Sequence, residues 1–215
     1  MSVLIRCWGD FALFTRPEMK VERVSYDVMT PSAARGILDA IYWHDGVKWI
    51  VEEIYVRKPV KFASIRRNEL KSLMNTKGVL TAIQSDGVLP TVDTDADRTQ
   101  RAALVLKDVE YYIKAYAKVD EAVYGGPKAK ADAIIMQRLQ RGGCYHHPYF
   151  GCREFPVQFE LVDEVPPCPE GLLGDMDLNW MLWDWDYQYE QPKPIFFRPM
   201  MHDGRIVVPE RGDLP

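Results

Sequence analysis

A strict alternation of side chains in residues 101–119 constrains the fold of this chain more than any other sequence feature. Successive side chains of a β-strand point to opposite faces, so a period of two predicts a strand with two different faces. We expect the segment to form a hairpin that turns at Lys107 and Asp108. One face carries Val109, Tyr111, Ile113, Ala115, Ala117 and Val119, and the other carries Glu110, Tyr112, Lys114, Tyr116 and Lys118.

The second of these faces mixes aromatic rings with lysines, and two interpretations of it stay open. Tyr112 and Tyr116 could stack on bases while Lys114 holds a phosphate, which would make the face an RNA-binding surface. Alternatively, lysine and tyrosine are simply residues that suit a solvated strand face.

A short helix is predicted for the stretch TPSAARGILDAIYW, which begins at Thr30. Threonine is a suitable N-cap, and the proline that follows it is tolerated at the first helical position. Arg35, Asp39 and Tyr42 recur at helical spacing and therefore share one side of the helix. The alternative interpretation is an ordinary surface helix that carries an Arg–Asp pair and a half-buried tyrosine.

Gly36 lies in the middle of this predicted helix. Glycine at such a position costs roughly 1 kcal/mol relative to alanine. The sequence therefore predicts that another backbone or a ligand closely approaches the helix at Gly36.

Further strands and a second helix complete the predicted secondary structure. Extended segments are predicted at residues 3–8, 47–58 and 157–161, and a helix is predicted at residues 128–141 between two glycine pairs. Residues 76–98 are polar and contain glycine and aspartate, which indicates a mobile loop or hairpin.

Composition argues against a metal or disulfide framework and against a membrane protein. The four cysteines form no CxxC pair, and the four histidines lack zinc-ligand spacing. No apolar run approaches the roughly 20 residues of a membrane span, so we expect a cytoplasmic protein.

The net charge is −4, but acidic residues concentrate in the last quarter. The remainder of the chain is net positive, which is compatible with an RNA partner.

The order strand, helix, strand, hairpin strand, helix, strand is that of the split βαβ arrangement. It predicts an α+β protein whose N-terminal domain, residues 1–162, is ferredoxin-like (RNA-recognition-motif-like) with an insertion at residues 61–100. The proline-rich VPPCPEGLLGD predicts a linker, and the short apolar runs after it predict a small antiparallel β-sheet C-terminal domain at residues 163–215.

Four stretches in the same order resemble the RAMP-superfamily CRISPR-associated proteins of subtype I-C (Dvulg) systems. They are WGDFALFTRPEMKVERVSYDVMTPSAARGILDAIYW, IRRNE, RTQRAALVLKDVEYYI and HPYFGCREFP. The resemblance implies an endoribonuclease that cuts precursor CRISPR RNA at the base of the repeat hairpin. The reaction it implies is attack of a ribose 2′-hydroxyl on the adjacent phosphate without a metal or other cofactor. The protein would then stay with the RNA as a subunit of the interference complex.

The resemblance also implies a catalytic tyrosine at the end of the first helix and a Lys-His pair at the start of the second. Tyr42 matches the tyrosine and Lys130 the lysine, but Ala131 stands where the family pattern has histidine. Such chemistry needs a base, an acid and a cation near the phosphate, so we hypothesise that His146 or His147 supplies the missing group.

The sequence leaves three functions open. They are an endoribonuclease, a non-cleaving subunit that binds the 5′ handle of the guide RNA, and a free-standing RNA-recognition domain. All three share an RNA-binding surface. The residues predicted to form it are Arg16, Lys20, Arg23, Arg35, Arg66, Arg67, Tyr112, Lys114, Tyr116 and Arg138.

Overall fold

The structure, a computed structural model, describes residues 1–19, 21–73, 75–85 and 87–214. They form two compact units: Met1–Ala63 with Leu104–Pro215, and Ser64–Ala103. Among the described residues, no helix is both long enough and apolar enough to span a membrane.

The larger unit is built on an antiparallel sheet with the strand order β6-β1-β5-β3-β11-β10-β7, and β2 also pairs with β5. A second sheet contains only β8 and β9. The strands are β1 (Ser2–Ala12), β2 (Arg23–Val24), β3 (Val47–Val56), β4 (Phe62–Leu70), β5 (Arg98–Val119), β6 (Gln158–Leu161), β7 (Asp175–Asp177), β8 (Met181–Asp186), β9 (Lys193–Phe197), β10 (Met200–His202) and β11 (Arg205–Val207).

Two of the helices cover one face of the main sheet. The helices are α1 (Pro31–Ile41), α2 (Thr76–Ser85), α3 (Thr94–Asp97), α4 (Glu121–Tyr124) and α5 (Lys128–Arg141), with 3₁₀ turns at Glu170–Leu172 and Arg211–Asp213. Helix α1 packs on β3, α5 packs on β6, and α1 and α5 contact each other. The mixed α+β class is thus confirmed.

The alternation that predicted a strand is confirmed, but the predicted hairpin is wrong. Val109, Ile113 and Ala117 are buried, at most 6 % exposed. The chain does not reverse at Lys107 and Asp108. Asp108 takes a left-handed conformation (φ 55°), but β5 continues through it to Val119. Neighbouring β1 pairs with residues on both sides of this irregularity, so the ladder is extended rather than folded back.

Helix α1 begins as the sequence predicted. The hydroxyl of Thr30 accepts a hydrogen bond from the backbone N–H of Ala33 at 3.2 Å, which satisfies one of the free donors of the first turn. Ile37, Leu38 and Ile41 are at most 1 % exposed. The core side of the helix is therefore apolar.

The prediction that another backbone approaches Gly36 is wrong. Gly36 is exposed, and a Cβ placed on it would have no heavy atom within 4 Å. The glycine lies at a cavity of about 330 Å³ that is also lined by Tyr149, Trp185 and Tyr187. The backbone therefore does not require a glycine here.

The C-terminal residues do not form a separate compact unit. Strand β11 pairs with β3, with Arg205 opposite Tyr55 and Val207 opposite Glu53, and β10 and β7 extend the same sheet. The boundary predicted between residues 162 and 163 therefore falls within one unit. The physical reason is that β3 offers a free edge whose backbone groups need partners.

The bounds of the smaller unit, Ser64–Ala103, each differ by three residues from those of the predicted insertion, residues 61–100. The segment predicted as a loop or hairpin instead contains α2, in which Val79, Ala82 and Ile83 recur at helical spacing. Asn75 supports its start by accepting a hydrogen bond from the N–H of Gly78 at 2.9 Å.

We expect Gly36→Ala to stabilise the protein. Alanine gains about 0.5–1 kcal/mol over glycine in a helix interior, and nothing stands in the way of the added methyl group. Urea unfolding should show a higher free energy of unfolding. The matched control is Gly151→Ala, where φ is +79° and a Cβ would lie 2.0 Å from the carbonyl oxygen of Leu13; that variant should be destabilised. A destabilised Gly36→Ala protein would contradict the open space around the helix.

Candidate active site

The C-terminal end of α1 holds Tyr42 in a fixed position. Its N–H donates to the carbonyl of Leu38 at 2.9 Å, and its own carbonyl accepts from the indole N–H of Trp49 at 2.9 Å. The guanidinium of Arg138, from α5, lies 5.1 Å from the centre of the Tyr42 ring and donates to the carbonyl of Ile41 at 2.7 Å. Arg138 thus joins α5 to the end of α1.

A second tyrosine meets the first. The hydroxyl groups of Tyr42 and Tyr124 are 3.2 Å apart, and both side chains are buried, at 3 % and 9 % exposure. Tyr124 ends α4, whose N-cap Asp120 accepts from the N–H groups of Ala122 and Val123. The sequence analysis did not identify Tyr124, because a four-residue helix leaves no periodic pattern.

Burial and the bond to Tyr124 raise the pKa of Tyr42 to about 12, although the charge of Arg138 opposes this shift. The phenol therefore keeps its proton at neutral pH. The positive charge that lowers the pKa of Tyr42 is that of Arg138, and it does not offset the effect of burial. Tyr42 is suited instead to donate a hydrogen bond or to orient a nucleophile.

Lys130 and Ala131, in the first turn of α5, have opposite environments. Lys130 is exposed, and its Cδ and the Cε1 of Tyr124 lie against Gly126, at 3.7 and 3.6 Å from the point where a Cβ would stand. The lysine stem is thus close to the tyrosine pair. Ala131 is 0 % exposed, so α5 has no room for an imidazole there without repacking of the core.

The histidine loop after α5 is tied to the same end of α1. The N–H groups of Tyr145 and His146 both donate to the carbonyl of Ala40, at 2.9 and 3.1 Å. These backbone donors are therefore already used and do not form a free phosphate site. The side chains of His146 and His147 are exposed.

His44 is a further imidazole that the sequence analysis missed. It is exposed, and its ring centre lies 4.7 Å from that of Tyr124 in an edge-on arrangement. The sequence signal for His44 is its position two residues after Tyr42. The structure therefore groups Tyr42, Tyr124, His44, Lys130, Arg138 and His146 around the end of α1.

Arg35 does not belong to this group. It donates to both carboxylate oxygens of Asp184, at 2.9 and 2.8 Å, and to Asp39 at 2.8 Å. Burial tends to lower the pKa of Arg35, but Asp184 and Asp39 outweigh burial and raise it. The guanidinium thus joins α1 to β8, and its donors face carboxylates rather than solvent.

The lysine and tyrosine face of β5 carries carboxylates as well as cations. Lys114 lies 3.6 Å from Glu53, which also accepts from Arg205 at 2.7 Å. Tyr112 is only 6 % exposed, so burial leaves little of its ring for a base to stack on. Tyr116 is partly exposed and keeps that possibility.

The remaining predicted RNA contacts are scattered. Arg16 lies 4.7 Å over the ring of Tyr26, and Arg23 contacts the sulfur of Cys152 at 3.9 Å. Arg66 and Arg67 lie in the smaller unit. Lys20 lies outside the described residues. Among the described residues, no group of three or more His, Cys, Asp or Glu side chains is arranged to hold a metal ion.

Two solved structures share the fold of this chain. The fold matches a structure titled "Crystal Structure of CRISPR-associated Protein", with TM-score 0.69, 22 % identity and coverage of 100 % of this chain and 94 % of that one. It also matches the functionally uncharacterized protein SMU1763c of Streptococcus mutans, with TM-score 0.70, 22 % identity and coverage of 100 % and 95 %. The similarity to these two proteins is one of fold.

Sequence comparison gives the particular family. The family model described as "CRISPR-associated protein (Cas_Cas5)" matches residues 2–209. A curated relative from Mannheimia succiniciproducens, named "CRISPR pre-crRNA endoribonuclease Cas5d", is 46 % identical over 96 % of this chain and 94 % of its own. A relative of the same name from Thermus thermophilus is 39 % identical over 95 % and 90 %. The chain therefore belongs to the Cas5 family of CRISPR-associated proteins, in its subtype I-C branch.

The raised pKa of Tyr42 predicts a loss of stability at high pH. The folded protein holds the phenolic proton up to about pH 12, whereas tyrosines of an unfolded chain titrate near 10. The stabilisation is complete below about pH 10 and is lost as the pH rises towards 12. As the pH rises from about 10 towards 12, the urea-unfolding midpoint of Tyr42→Phe should therefore fall less than that of the wild type. Tyr145→Phe, at a site 67 % exposed, is the control and should leave the curve unchanged; equal curves for all three proteins would contradict the prediction.

The hydrogen bonds from Arg35 to Asp184 and Asp39, here called the Arg35 clamp, predict that lysine at position 35 would lower the stability of the fold. Lysine cannot donate to both oxygens of Asp184 and to Asp39 at once. We expect Arg35→Lys to lower the free energy of unfolding by about 1–3 kcal/mol. The matched control is Arg198→Lys, since Arg198 pairs with Asp177 on the surface and such pairs contribute little. Equal losses in both variants would contradict the clamp.

Proposed function

We propose that the protein is an endoribonuclease that cleaves CRISPR repeat RNA at the base of its hairpin. It acts in the cytoplasm, leaves 2′,3′-cyclic phosphate and 5′-hydroxyl ends, and stays as a subunit of the subtype I-C interference complex. The observation that carries this proposal is the full-length relationship to two proteins named as pre-crRNA endoribonucleases. The grouping of phenols, cations and imidazoles at the end of α1 supports it.

The chemistry assigns a role to each group. A pentacoordinate phosphorane carries extra negative charge, which cations and hydrogen-bond donors stabilise. Lys130 and Arg138 supply the positive charge, and the neutral phenol of Tyr42 supplies an O–H donor or orients the 2′-hydroxyl. Imidazole is suited to take and return a proton near neutral pH, so His44, His146 or His147 serves as the acid or base.

The RNA path follows the same end of the molecule. We propose that Lys130 and Arg138 contact the phosphates next to the cut, because both adjoin the tyrosine pair. Arg16, Arg23, Arg66, Arg67, Lys20 and Tyr116 stay predictions for contacts further along the RNA. Arg35, Tyr112 and Lys114 are weaker candidates, because each is occupied or buried.

We further infer that the core of the larger unit is ferredoxin-like. The strand order β6-β1-β5-β3, with α1 between β1 and β3 and α5 between β5 and β6 along the chain, supports the split βαβ arrangement. In this arrangement β11, β10 and β7 are an addition to the edge of the core sheet.

One observation favours the non-cleaving alternative, in which the protein only binds the 5′ handle of the guide RNA. Ala131 replaces the histidine of the family pattern and is fully buried. If none of the other imidazoles can act, the protein retains RNA binding without cleavage.

The deciding experiment is incubation of the purified protein with a repeat hairpin RNA in EDTA. A product that disappears when a single 2′-deoxy nucleotide precedes the cut establishes the nuclease and the role of the 2′-hydroxyl. Tight binding without product establishes the handle-binding subunit instead.

We expect the histidine that acts as acid or base to be revealed by single substitutions. His44→Ala, His146→Ala and His147→Ala are compared, and the functional one should slow cleavage about 100-fold or more while RNA affinity is kept. Tyr42→Phe and Lys130→Ala should also slow cleavage. The matched control is Lys128→Ala, because Lys128 is in the same helical turn but pairs with Asp132 at 2.9 Å. Unchanged cleavage in all three histidine variants would remove imidazole from the mechanism.

A further inference from the structure

A cleft of about 500 Å³ that does not include the tyrosine pair lies at the free edge of β3. Strand β11 pairs with β3 only at Glu53, Ile54 and Tyr55, and Val208 adds one bond to the carbonyl of Glu52 at 2.9 Å. Within the described part of the chain, the preceding residues of β3 have no strand on that side. The residues that line the cleft include Lys48, Ile50, Glu52, Tyr116, Lys118 and Trp183.

One end of the cleft carries two lysines in register. Lys48 of β3 pairs directly with Lys118 of β5, and both side chains are exposed. Like charges directly opposite each other across a ladder are destabilising. Within the described residues, neither lysine has a carboxylate at ion-pair distance, since no salt bridge joins them to one. This end of the cleft is therefore suited to an anion.

The middle of the cleft carries apolar and aromatic side chains. The next pair along the two strands is Ile50 opposite Tyr116, and both side chains are partly exposed. Trp183 also lines the cleft, and its indole N–H donates to the carbonyl of Pro209 at 3.1 Å. These aromatic surfaces are suited to contact a planar ring.

The far end of the cleft carries an unpartnered acceptor. The Oε2 of Glu52 is buried and has no hydrogen-bond partner among the described residues. The register of β3 against β5 shifts at this residue, between Val51 and Glu53, which is the mark of a β-bulge. A buried acceptor without a donor costs free energy. A ligand N–H that reaches it, after rotation of the Glu52 side chain towards the cleft, would remove this cost.

We infer that the cleft binds one unpaired nucleotide of the RNA whose base carries an exocyclic amino group. This inference rests on the proposed function. The phosphate lies at Lys48 and Lys118, the base lies on Tyr116 and Trp183, and the amino group donates to Glu52. The three features follow one another at two-residue spacing along β3, or about 7 Å a step. Only a ligand that is anionic, flat and N–H donating in that order satisfies all three.

A peptide strand added to the free edge of β3 is the competing occupant. Such a strand would satisfy the backbone groups of the edge. The backbone of such a strand carries neither an anion for the lysine pair nor an amino group for the Glu52 carboxylate. A nucleotide carries both.

The test uses the full chain and two fluorescent RNA decamers, one of uridine only and one with a single central cytidine. Because uracil lacks an amino group, the wild type should bind the cytidine decamer about tenfold more tightly in an anisotropy titration. Glu52→Met should abolish this preference, since it removes both acceptor oxygens of the side chain. Glu210→Met is the matched control, since it removes an exposed carboxylate that also lines the cleft, and it should keep the preference.

The lysine pair gives a second, independent readout. Lys48→Ala and Lys118→Ala should weaken binding of both decamers equally and reduce the slope of log K against log salt by about 0.7 each. The same substitutions should raise the urea-unfolding midpoint, because they remove a like-charge pair. Lys107→Ala, at an exposed position of β5 outside the cleft, is the control and should change RNA binding least.

The repeat-cleavage assay is run on the same proteins, so the two proposals can fail separately. A wild type that neither binds nor cleaves repeat RNA overturns both. A wild type that cleaves, with Glu52 and lysine variants that bind both decamers as it does, overturns only the nucleotide site. That result would favour a peptide strand as the occupant of the edge of β3.

Discussion

The larger unit depends on strand β5, which is hydrogen-bonded along both edges. Ile113 of β5 stands opposite Ile5 of β1 and Ile54 of β3, and all three are 0 % exposed. A shift of one residue in this register would turn the whole apolar face outward. The register is therefore fixed by burial, and α1 and α5 are both held against the apolar face.

The position of the candidate active site follows from this packing. Because α1 and α5 contact each other on the sheet, the end of α1 comes within reach of Arg138 on α5. Burial keeps the phenol of Tyr42 protonated. The exposed groups around it, Lys130, His44 and His146, are the ones able to meet an RNA phosphate. The protein thus combines a rigid, neutral centre with a charged and accessible rim.

The open face of the sheet is arranged differently, because most of its cations are matched by carboxylates. Arg6 pairs with Glu110 and Glu160, and Glu53 accepts from Arg205. Such pairs contribute little to stability at a surface, but they remove positive charge from the face. The lysine pair at the free edge of β3 stands out against this background. Local charge balance, and not the number of lysines, therefore decides which part of the face can attract RNA.

The sequence by itself determined the elements that rest on local periodicity: the alternating faces of β5, the capped helix α1, helix α5 and the position of Tyr42 at a helix end. These follow from side-chain spacing and capping, which are encoded within a few residues. Only the tertiary structure decided that β5 continues through Asp108, that β11 joins β3, that Arg35 is held by Asp184, and that Tyr124 meets both Tyr42 and His44. Each of these depends on partners distant in sequence, and no local pattern records which distant groups burial will bring together.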